Sequence, residues 1–503
     1  MNNYPRPQLK RDSFFSLNGT WLMNGIEVNV PSCRQEKKLH YEKHFNYVKK
    51  NDRVILHFSA VDQIAKAYLN DVYLGEHIGG YLPFEFEITD CIKEENKLVV
   101  DVVDELDVTY PYGKQTLKPN GMWYTPVSGI WGSVWYEEVP STYIQSIRIS
   151  TDLRGVDLDI TIDRNKQIEN KHIRKDIDNP ILWDVDNPYL YREIISEEND
   201  KVEIYYGLRT INIQNINGIN RVCLNNKPII INGLLDQGYW KETLFIPNSE
   251  DGYKKDITNM KSLGYNTLRK HIKIEPEEFY YQCDMLGMLV IQDMVQNGKY
   301  SFIRDTALPT IGINRKDTVT KLDDRMKFFI SHSKDTINHL YNHPSIIMYT
   351  IFNEGWGQFN SDEIYKELKA LDSSRLYDST SGWFKQNLNE FDSLHIYFRN
   401  KKLKPKTKPL FLSECGGYIY SVGNAKAKWG YDICRSKEEL TNKMIEMYET
   451  MVIPAIKDGL CGVIYTQVSD VEGEINGLYT FDHKTLKVDG EKIKEINKRI
   501  KLS

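Results

Sequence analysis

The feature that most constrains the fold is a regular alternation that begins at Val222, where apolar runs of β-favouring residues are separated by stretches of helical periodicity. Strands that alternate with helices are parallel, because each helix carries the chain back to the edge where the next strand begins. The runs are KPIIINGLL, NTLRKHI, MLVIQDM, SIIMYTIFNE, SRLYDSTSG, SLHIYF, KPLFLSE and CGVIYTQVSD. Eight such units in about 280 residues predict a (β/α)8 barrel, a fold that typically takes ~250 residues.

The segments between these runs have the periodicity and length of amphipathic helices. The predicted helices are 251–263, 276–286, 323–341, 362–371 and 437–457, and DGEKIKEINKRI closes the last unit. Parallel strands need such crossovers, so the helical segments support the barrel independently of the strands.

The chain before the barrel contains short β-rich runs separated by turn residues, among them RVILHFSAV, FEFEIT, NKLVVDVVD and SVWYEEV. This spacing is typical of a β-sandwich. A second β-rich stretch, 141–213, is shorter than the ~100 residues of a seven-stranded sandwich and predicts a reduced immunoglobulin-like module. We therefore expect three domains, at 1–140, 141–213 and 214–503.

Composition excludes several classes of partner. The net charge is −5 with basic and acidic residues interspersed, so there is no polycationic surface of the kind that binds nucleic acid or anionic lipid. No run of ~18 apolar residues and no signal-like N-terminus occur, which favours a cytoplasmic protein. The seven cysteines contain no CxxC pair and predict neither disulfides nor a zinc site.

Two of the predicted strands end on a carboxylate. The fourth strand stops at Asn353-Glu354 and the seventh at Ser413-Glu414, on the face where barrels of this kind place their chemistry. Two such carboxylates can face each other across the barrel mouth, and a separation of ~5–5.5 Å is what retaining glycoside hydrolysis requires. The alternative is that both are solvated turn residues, or that Asn353 caps a short turn.

A set of segments gives the chain a family resemblance. They are AVDQIAKAYLNDVYLGEHIGGYLPFEFEIT, PYGKQ, WYTPVSGIWGSVWYEEVP, DNPYLY, YYGLRTI, CDMLGMLVIQDM, HPSIIMYTIFNEGWGQF and FLSECGG. Together they resemble glycoside hydrolase family 2 over nearly the whole chain. The resemblance implies a jelly-roll sugar-binding domain, an immunoglobulin-like domain and a (β/α)8 barrel. It also implies retaining exo-β-glycosidase activity, as in β-galactosidases, β-glucuronidases and β-mannosidases.

The same resemblance implies roles for individual residues. Glu354 matches the general acid/base, and Asn353 matches the residue that hydrogen-bonds the sugar 2-hydroxyl. Glu414 matches the nucleophile, Tyr397 matches the tyrosine that donates to it, and His395 lines the pocket beside them. These roles agree with elementary chemistry, because a nucleophile must stay ionised among donors while the acid must hold a proton.

Five further residues are candidates for the sugar pocket because of their position after strands. Asp236 ends the first strand, Arg269 and His271 end the second, and Trp356 and Trp383 follow the fourth and fifth. Arg269 is equally compatible with a structural salt bridge to the catalytic carboxylates. The tryptophans are compatible with sugar platforms or with loop packing.

Departures from the family pattern bear on the metal and the sugar. QDMVQNG lacks the Glu-x-His pair that holds magnesium in some β-galactosidases, so we expect no metal and no cofactor. VIYTQVSD also lacks the tryptophan that relatives often carry near the end of strand 8, so the sugar platform there is left open.

The substrate prediction depends on a missing charge. β-Glucuronidases of the family bind the substrate carboxylate with an Asn-x-Lys motif. This chain has Glu474 and Asn476 at the two corresponding positions. This predicts a neutral β-hexoside, specifically a β-galactoside, cleaved at least about tenfold better than a glucuronide. A basic residue from elsewhere, such as Arg269 or Lys484, would restore acid recognition.

The expected partner is a small oligosaccharide or glycoside, and homo-oligomerisation is left open. A β-glucuronidase or another β-glycosidase of the family is an alternative. A carbohydrate-binding protein that has lost turnover is an alternative of a different class.

Overall fold

The computed structural model describes residues 4–311, 313, 316–397, 399–404, 407–423 and 432–502. The first part of the chain forms two antiparallel sheets around a core that includes Trp21, Tyr41 and Phe58. Its strands are β1 Phe14–Ser16, β2 Gly19–Met23, β3 Ile26–Val30, β4 Lys38–Asn46, β5 Arg53–Phe58, β6 Ile64–Leu69, β7 Val72–Ile78, β8 Phe84–Glu87, β9 Glu95–Val103 and β10 Val134–Val139. The sheet orders are β3-β2-β4-β9-β6-β7 and β1-β10-β5-β8.

A second, smaller β module follows, with Ile147, Leu158 and Ile204 in its core. Its strands are β11 Thr142–Thr151, β12 Gly155–Arg164, β13 Gln167–Asp176, β14 Tyr191–Glu197 and β15 Asp200–Tyr206. They form the sheets β11-β12-β13 and β14-β15. The sequence pattern did not reveal β13, because QIENKHIRKD is a largely exposed strand whose charged residues hide the apolar alternation.

The barrel confirms the alternation seen in the sequence, since each of the eight runs overlaps one barrel strand. A three-stranded sheet precedes it, formed by β16 Ile211–Ile216, β17 Ile219–Leu224 and β18 Lys227–Pro228. The barrel strands are β19 Ile231–Asp236, β20 Thr267–Lys270, β21 Leu289–Asp293, β22 Ile346–Asn353, β23 Leu376–Ser381, β24 Asp392–Ile396, β25 Leu410–Gly416 and, after the short β26 Tyr418–Ile419 and β27 Asp432–Ile433, β28 Leu460–Thr466.

The eight barrel strands run parallel in the order β23-β22-β21-β20-β19-β28-β25-β24. Between the edge strands β23 and β24, the Ser393 hydroxyl donates to Asp378 Oδ2 at 2.6 Å. The expected fold class, two β-sandwich modules followed by a (β/α)8 barrel, is confirmed.

Each predicted helix is present, and the structure adds a short helical segment at 302–310 that the periodicity did not predict. The helices are α1 Gly252–Ser262, α2 Glu277–Leu286, α3 Leu308–Thr310, α4 Asp324–Leu340, α5 Ser361–Leu371, α6 Lys437–Met447, α7 Ile453–Ile456 and α8 Gly490–Lys498, with π-helical turns at Phe302–Ala307 and Tyr448–Val452. The predicted helix 437–457 is therefore interrupted. Pro454 has no N–H and would clash with the Thr450 carbonyl in a regular α-helix, so the turn before it widens.

The two ends of the barrel differ in what covers them. At one end, Ile211, Val222 and Leu224 of the preceding sheet pack into a shared core with Ile231 and Ile347. The carboxyl ends of the strands form the other end. Against the loops there, the first sandwich places the segment 110–125, in which the Tyr112 hydroxyl donates to the Gly298 carbonyl at 2.9 Å. The helices of the described residues are all too short or too polar to cross a membrane.

Candidate active site

Glu354 and Glu414 lie beside each other at the mouth of the barrel. Glu354 follows β22 directly in a left-handed backbone conformation (φ 52°), and its N–H donates to the Ser381 carbonyl of β23 at 3.1 Å. His395 Nδ1 lies 2.8 Å from Glu354 Oε1 and 3.5 Å from Glu414 Oε2. One oxygen of each carboxylate and the imidazole nitrogen all lie within 4.8 Å of one another, close to the separation used in retaining glycoside hydrolysis.

Glu414 is buried among hydrogen-bond donors. Arg269 Nη1 lies 3.1 Å from its Oε1, and the Tyr397 hydroxyl donates to its Oε2. Burial alone would raise the pKa of Glu414. The positive charge of His395 and Arg269 and the hydrogen bond from Tyr397 outweigh burial and lower this pKa. Glu414 is therefore kept ionised, as a nucleophile has to be.

Arg269 is fully buried and joins the strands that carry the site. Its Nε donates to Asp293 Oδ1 and its Nη2 to Asn353 Oδ1, both at 2.9 Å. His271 Nδ1 lies 2.7 Å from the other oxygen of Asp293. The planar guanidinium thus holds the carboxylates of Asp293 and Glu414 and the amide of Asn353. This is the structural salt-bridge role that the sequence left open for Arg269.

Arg269 also fixes the orientation of the Asn353 side-chain amide. Because the amide oxygen accepts from Arg269, the amide nitrogen is the atom left for another acceptor. Within the described residues this nitrogen donates no hydrogen bond. It is therefore available to a substrate hydroxyl.

The two tryptophans lie in different environments. The Trp383 ring centroid is 6.1 Å from that of His395, so this side chain borders the carboxylates. Trp356 is only 3% exposed, donates to the Gly298 carbonyl at 2.9 Å and packs edge-on against Trp123. Trp356 therefore holds the barrel loops against the first sandwich and offers no face to a ligand.

Asp236 is not brought to the carboxylates. Its Oδ2 accepts from Lys270 Nζ at 2.7 Å, and its Oδ1 accepts from the Gly238 N–H at 2.9 Å. Side chains alternate along a strand, so Lys270 points away from Arg269 and into the layer between strands and helices. Asp236 therefore borders a small cavity beside α1, together with Asp256 and Ile257.

Glu474 and Lys114 are two further residues of this region that the sequence did not assign to the site. Glu474 is buried, accepts hydrogen bonds from the Tyr124 hydroxyl and from Asn476 Nδ2 (3.0 Å), and has its pKa raised by burial and by the charge of Glu414. Lys114 opposes this rise of the Glu474 pKa. Lys114, in PYGKQ, and Glu474 lie far apart in the sequence, and no local pattern shows that these two segments come together.

Glu354, His395 and Glu414 are also the group of described residues whose ligand atoms could hold a metal ion. Two carboxylate oxygens and an imidazole nitrogen suit a divalent transition metal. Such an ion would occupy the lone pairs that the two glutamates need for acid–base and nucleophilic chemistry.

The Tyr397 hydroxyl gives a prediction about pH dependence. Its hydrogen bond lowers the pKa of Glu414, so Tyr397→Phe should raise that pKa. Because the nucleophile must be ionised, the acid limb of kcat/KM should move to higher pH. We would measure pH profiles of kcat/KM for the wild type and for Tyr397→Phe, with Tyr73→Phe on the first sandwich as the control. An acid limb that stays in place would contradict this assignment.

Two family models match the chain. "Glycosyl hydrolases family 2, TIM barrel domain" covers residues 215–501, and "Glycosyl hydrolases family 2, sugar binding domain" covers residues 18–140.

Curated relatives and solved structures are also similar. A β-galactosidase of Thermoanaerobacter pseudethanolicus is 26% identical over 76% of this chain and 54% of its own length. A β-glucuronidase of Streptococcus agalactiae is 26% identical over 61% of this chain and 56% of its own length. The chain thus spans about half the length of these curated relatives. The structure of a β-D-glucuronidase from Dictyoglomus thermophilum superimposes with a TM-score of 0.76 at 18% identity, covering 98% of each chain, and this likeness concerns the fold.

Proposed function

Because the chain belongs to glycoside hydrolase family 2, whose models match both its first sandwich and its barrel, we propose that it is a retaining exo-β-glycosidase. It would remove the terminal non-reducing sugar of a small oligosaccharide or glycoside. The observation that carries the proposal is the juxtaposition of Glu354 and Glu414, whose oxygens lie within 4.8 Å of each other and of His395.

The two carboxylates are given different roles by their surroundings. Glu414 is buried, accepts from Arg269 and Tyr397 and has a lowered pKa, so it attacks the anomeric carbon and forms the glycosyl-enzyme. Glu354 is less buried, with a side chain 14% exposed, so it has access to solvent on the leaving-group side. It protonates the glycosidic oxygen and then removes a proton from the water that releases the sugar.

The remaining contacts position these two groups. Arg269 fixes Glu414 and Asn353 together, so the Asn353 amide can donate to the sugar 2-hydroxyl beside the nucleophile. His395 lies between the carboxylates and touches both. Trp383 borders the same space and offers an apolar ring face to the sugar.

Two candidate sugars follow from two observations. A neutral β-hexoside, specifically a β-galactoside, is favoured by Glu474, a carboxyl that stands where the family's glucuronidases carry Asn-x-Lys. A β-hexuronide, as in the β-glucuronidase alternative, is favoured by Lys114, a cation close to that same carboxyl. The names of the relatives include both β-galactosidase and β-glucuronidase.

A panel of nitrophenyl β-glycosides tests the proposal, with galactoside, glucoside, mannoside, glucuronide and galacturonide under one condition. An exo-β-glycosidase releases nitrophenol from at least one of them, and the sugar anomer released first is β. A carbohydrate-binding protein without turnover releases nothing, and that result would overturn the proposed activity.

The mechanism uses no metal, which gives a prediction about chelation. After exhaustive dialysis against EDTA, kcat/KM should stay within about tenfold of its initial value, because every charge in the proposed steps comes from the protein. A larger loss that added magnesium restores would show that a metal site takes part. Zinc, which suits the ligand set of Glu354, His395 and Glu414, should inhibit and not activate.

Several broader features are part of the proposal. We propose the boundaries 1–140, 141–213 and 214–503, with a jelly-roll fold for the first sandwich and a reduced immunoglobulin-like fold for the second. A cytoplasmic location and a single soluble glycoside as partner complete the proposal, and homo-oligomerisation is compatible with it.

A further inference from the structure

Lys114 belongs to the first sandwich but lies at the mouth of the barrel. Its neighbour Gly113 has a left-handed backbone (φ 69°), and a Cβ there would lie 2.8 Å from the Ile272 carbonyl oxygen, one residue beyond His271. The Lys114 carbonyl accepts from the Tyr124 N–H at 2.9 Å. The backbone of Lys114 is therefore held between the barrel, which Gly113 contacts, and Tyr124 of its own sandwich.

The residue that follows Lys114 is held as firmly. Gln115 is 1% exposed, and its amide nitrogen donates to Asp62 Oδ2 at 3.0 Å and to the Tyr81 hydroxyl at 3.1 Å. Its amide oxygen accepts from the Val127 N–H. With Gly113 and Gln115 both fixed, the position from which the Lys114 side chain starts is preorganised, which limits the entropy lost when it binds a ligand.

The Lys114 ammonium has no ion-pair partner among the described residues. No carboxylate oxygen of the described residues lies within 4.0 Å of it, the limit for an ion pair. Its one described side-chain contact is with Trp123, whose ring centroid lies 5.9 Å away. A half-buried ammonium that forms no direct ion pair keeps its N–H donors for a ligand, so this position favours an anionic ligand group.

The surroundings of Lys114 place it beside the catalytic residues. Burial lowers the pKa of His271, and the charge of Lys114 lowers it further. Burial raises the pKa of Glu474, and the charge of Lys114 opposes this. The contacts agree with this: Gly113 lies against Ile272, the residue after His271, and Tyr124, which donates its N–H to the Lys114 carbonyl, donates its hydroxyl to Glu474. Lys114 therefore lies between the segments that carry His271 and Glu474.

We infer that Lys114 is a specificity-determining residue that binds an anionic group on the sugar, so that the preferred substrate is a β-hexuronide. This inference rests on the proposed glycosidase function. The expectation of a neutral sugar assumed that no cation replaces the missing lysine of Asn-x-Lys. The first sandwich supplies such a cation, Lys114, whose charge acts on the carboxyl group of Glu474. Glu474 occupies the first place of that motif. Glu474 itself already accepts hydrogen bonds from Tyr124 and Asn476.

The test compares Lys114→Met, which keeps the length of the side chain and removes its charge, with the wild type. We would measure kcat/KM for nitrophenyl β-glucuronide, β-galacturonide and β-galactoside. The wild type should prefer a uronide to the galactoside, and Lys114→Met should lower that preference by about tenfold or more, the effect of one lost charge-assisted hydrogen bond. Lys114→Arg should retain most of the preference. The control is Lys93→Met, which makes the same charge change at an exposed position of the same sandwich.

Two results would overturn the inference. One is a wild type that prefers the galactoside, and the other is an equal loss on all three substrates in Lys114→Met, which would indicate a structural role. Calorimetric titration of glucuronate and galacturonate separates the inference from the proposed function. If no glycoside is cleaved but Lys114→Met weakens uronate binding by about tenfold, the function fails and the inference stands.

Discussion

Replacing Glu414 with alanine should lower kcat by about 10⁵-fold or more, the order of loss found when an enzyme loses its covalent nucleophile. In the proposed mechanism the remaining carboxylate, Glu354, acts on the leaving-group side of the anomeric carbon, so we expect that it cannot substitute. A small anion can occupy the space that Glu414 leaves. In the presence of azide, Glu414→Ala should therefore convert a nitrophenyl β-glycoside into the α-glycosyl azide, with inversion at the anomeric carbon.

Glu414→Gln is the matched control for folding. Glutamine keeps one oxygen that can accept from Arg269, while its amide nitrogen takes the place of the oxygen that accepts from Tyr397, so the buried guanidinium does not lose every contact on this side. Thermal unfolding of this variant should stay closer to the wild type than that of Glu414→Ala, while turnover is lost in both. Retained turnover in Glu414→Gln would remove Glu414 from the role of nucleophile.

Replacing Glu354 with alanine should produce a different pattern. For substrates with a poor leaving group, kcat should fall by roughly 10²–10⁴-fold, the contribution of a general acid. Nitrophenyl and dinitrophenyl glycosides need little protonation, so they should still form the glycosyl-enzyme, which then accumulates because no base activates water. Azide needs no base and should release it as the β-glycosyl azide.

The two azide products together assign the roles. The α-azide from Glu414→Ala and the β-azide from Glu354→Ala arise only if the residues act on opposite faces of the sugar. The same anomer from both variants, established by nuclear magnetic resonance of the isolated product, would contradict the assignment. Glu446→Ala on the exposed side of α6 serves as a control for removal of a glutamate.

The sequence predicts the barrel well because its signal is local. The strands β22 and β25 are buried along their whole length and consist largely of apolar residues, and Glu354 and Glu414 stand out because a carboxylate follows those apolar residues. Charged edge strands such as β13 carry no such signal, since their residues face solvent. The strands that carry chemistry are thus also the ones that are easiest to recognise.

Side-chain direction and contacts between domains are less accessible to sequence reasoning. Asp236 follows a barrel strand as Glu354 does, but it pairs with Lys270 in the layer outside the strands. Trp356 follows the fourth strand, but its ring packs against Trp123 of the first sandwich and does not face the pocket. Lys114 and Glu474 approach each other only through the tertiary fold, so neither segment alone indicates a shared site.

The hydrogen bond between Tyr124 and Glu474 joins residues 350 positions apart in the chain, and this has a consequence for biosynthesis. At ~5–20 residues per second, about 20–70 s separate the emergence of these two residues from a ribosome. The first sandwich can fold in that interval, but its part of the pocket has nothing to face until the last barrel strand and the loop after it are made. A nascent chain that stalls before Glu474 should therefore hold a folded sandwich and both Glu354 and Glu414, and still be unable to bind sugar.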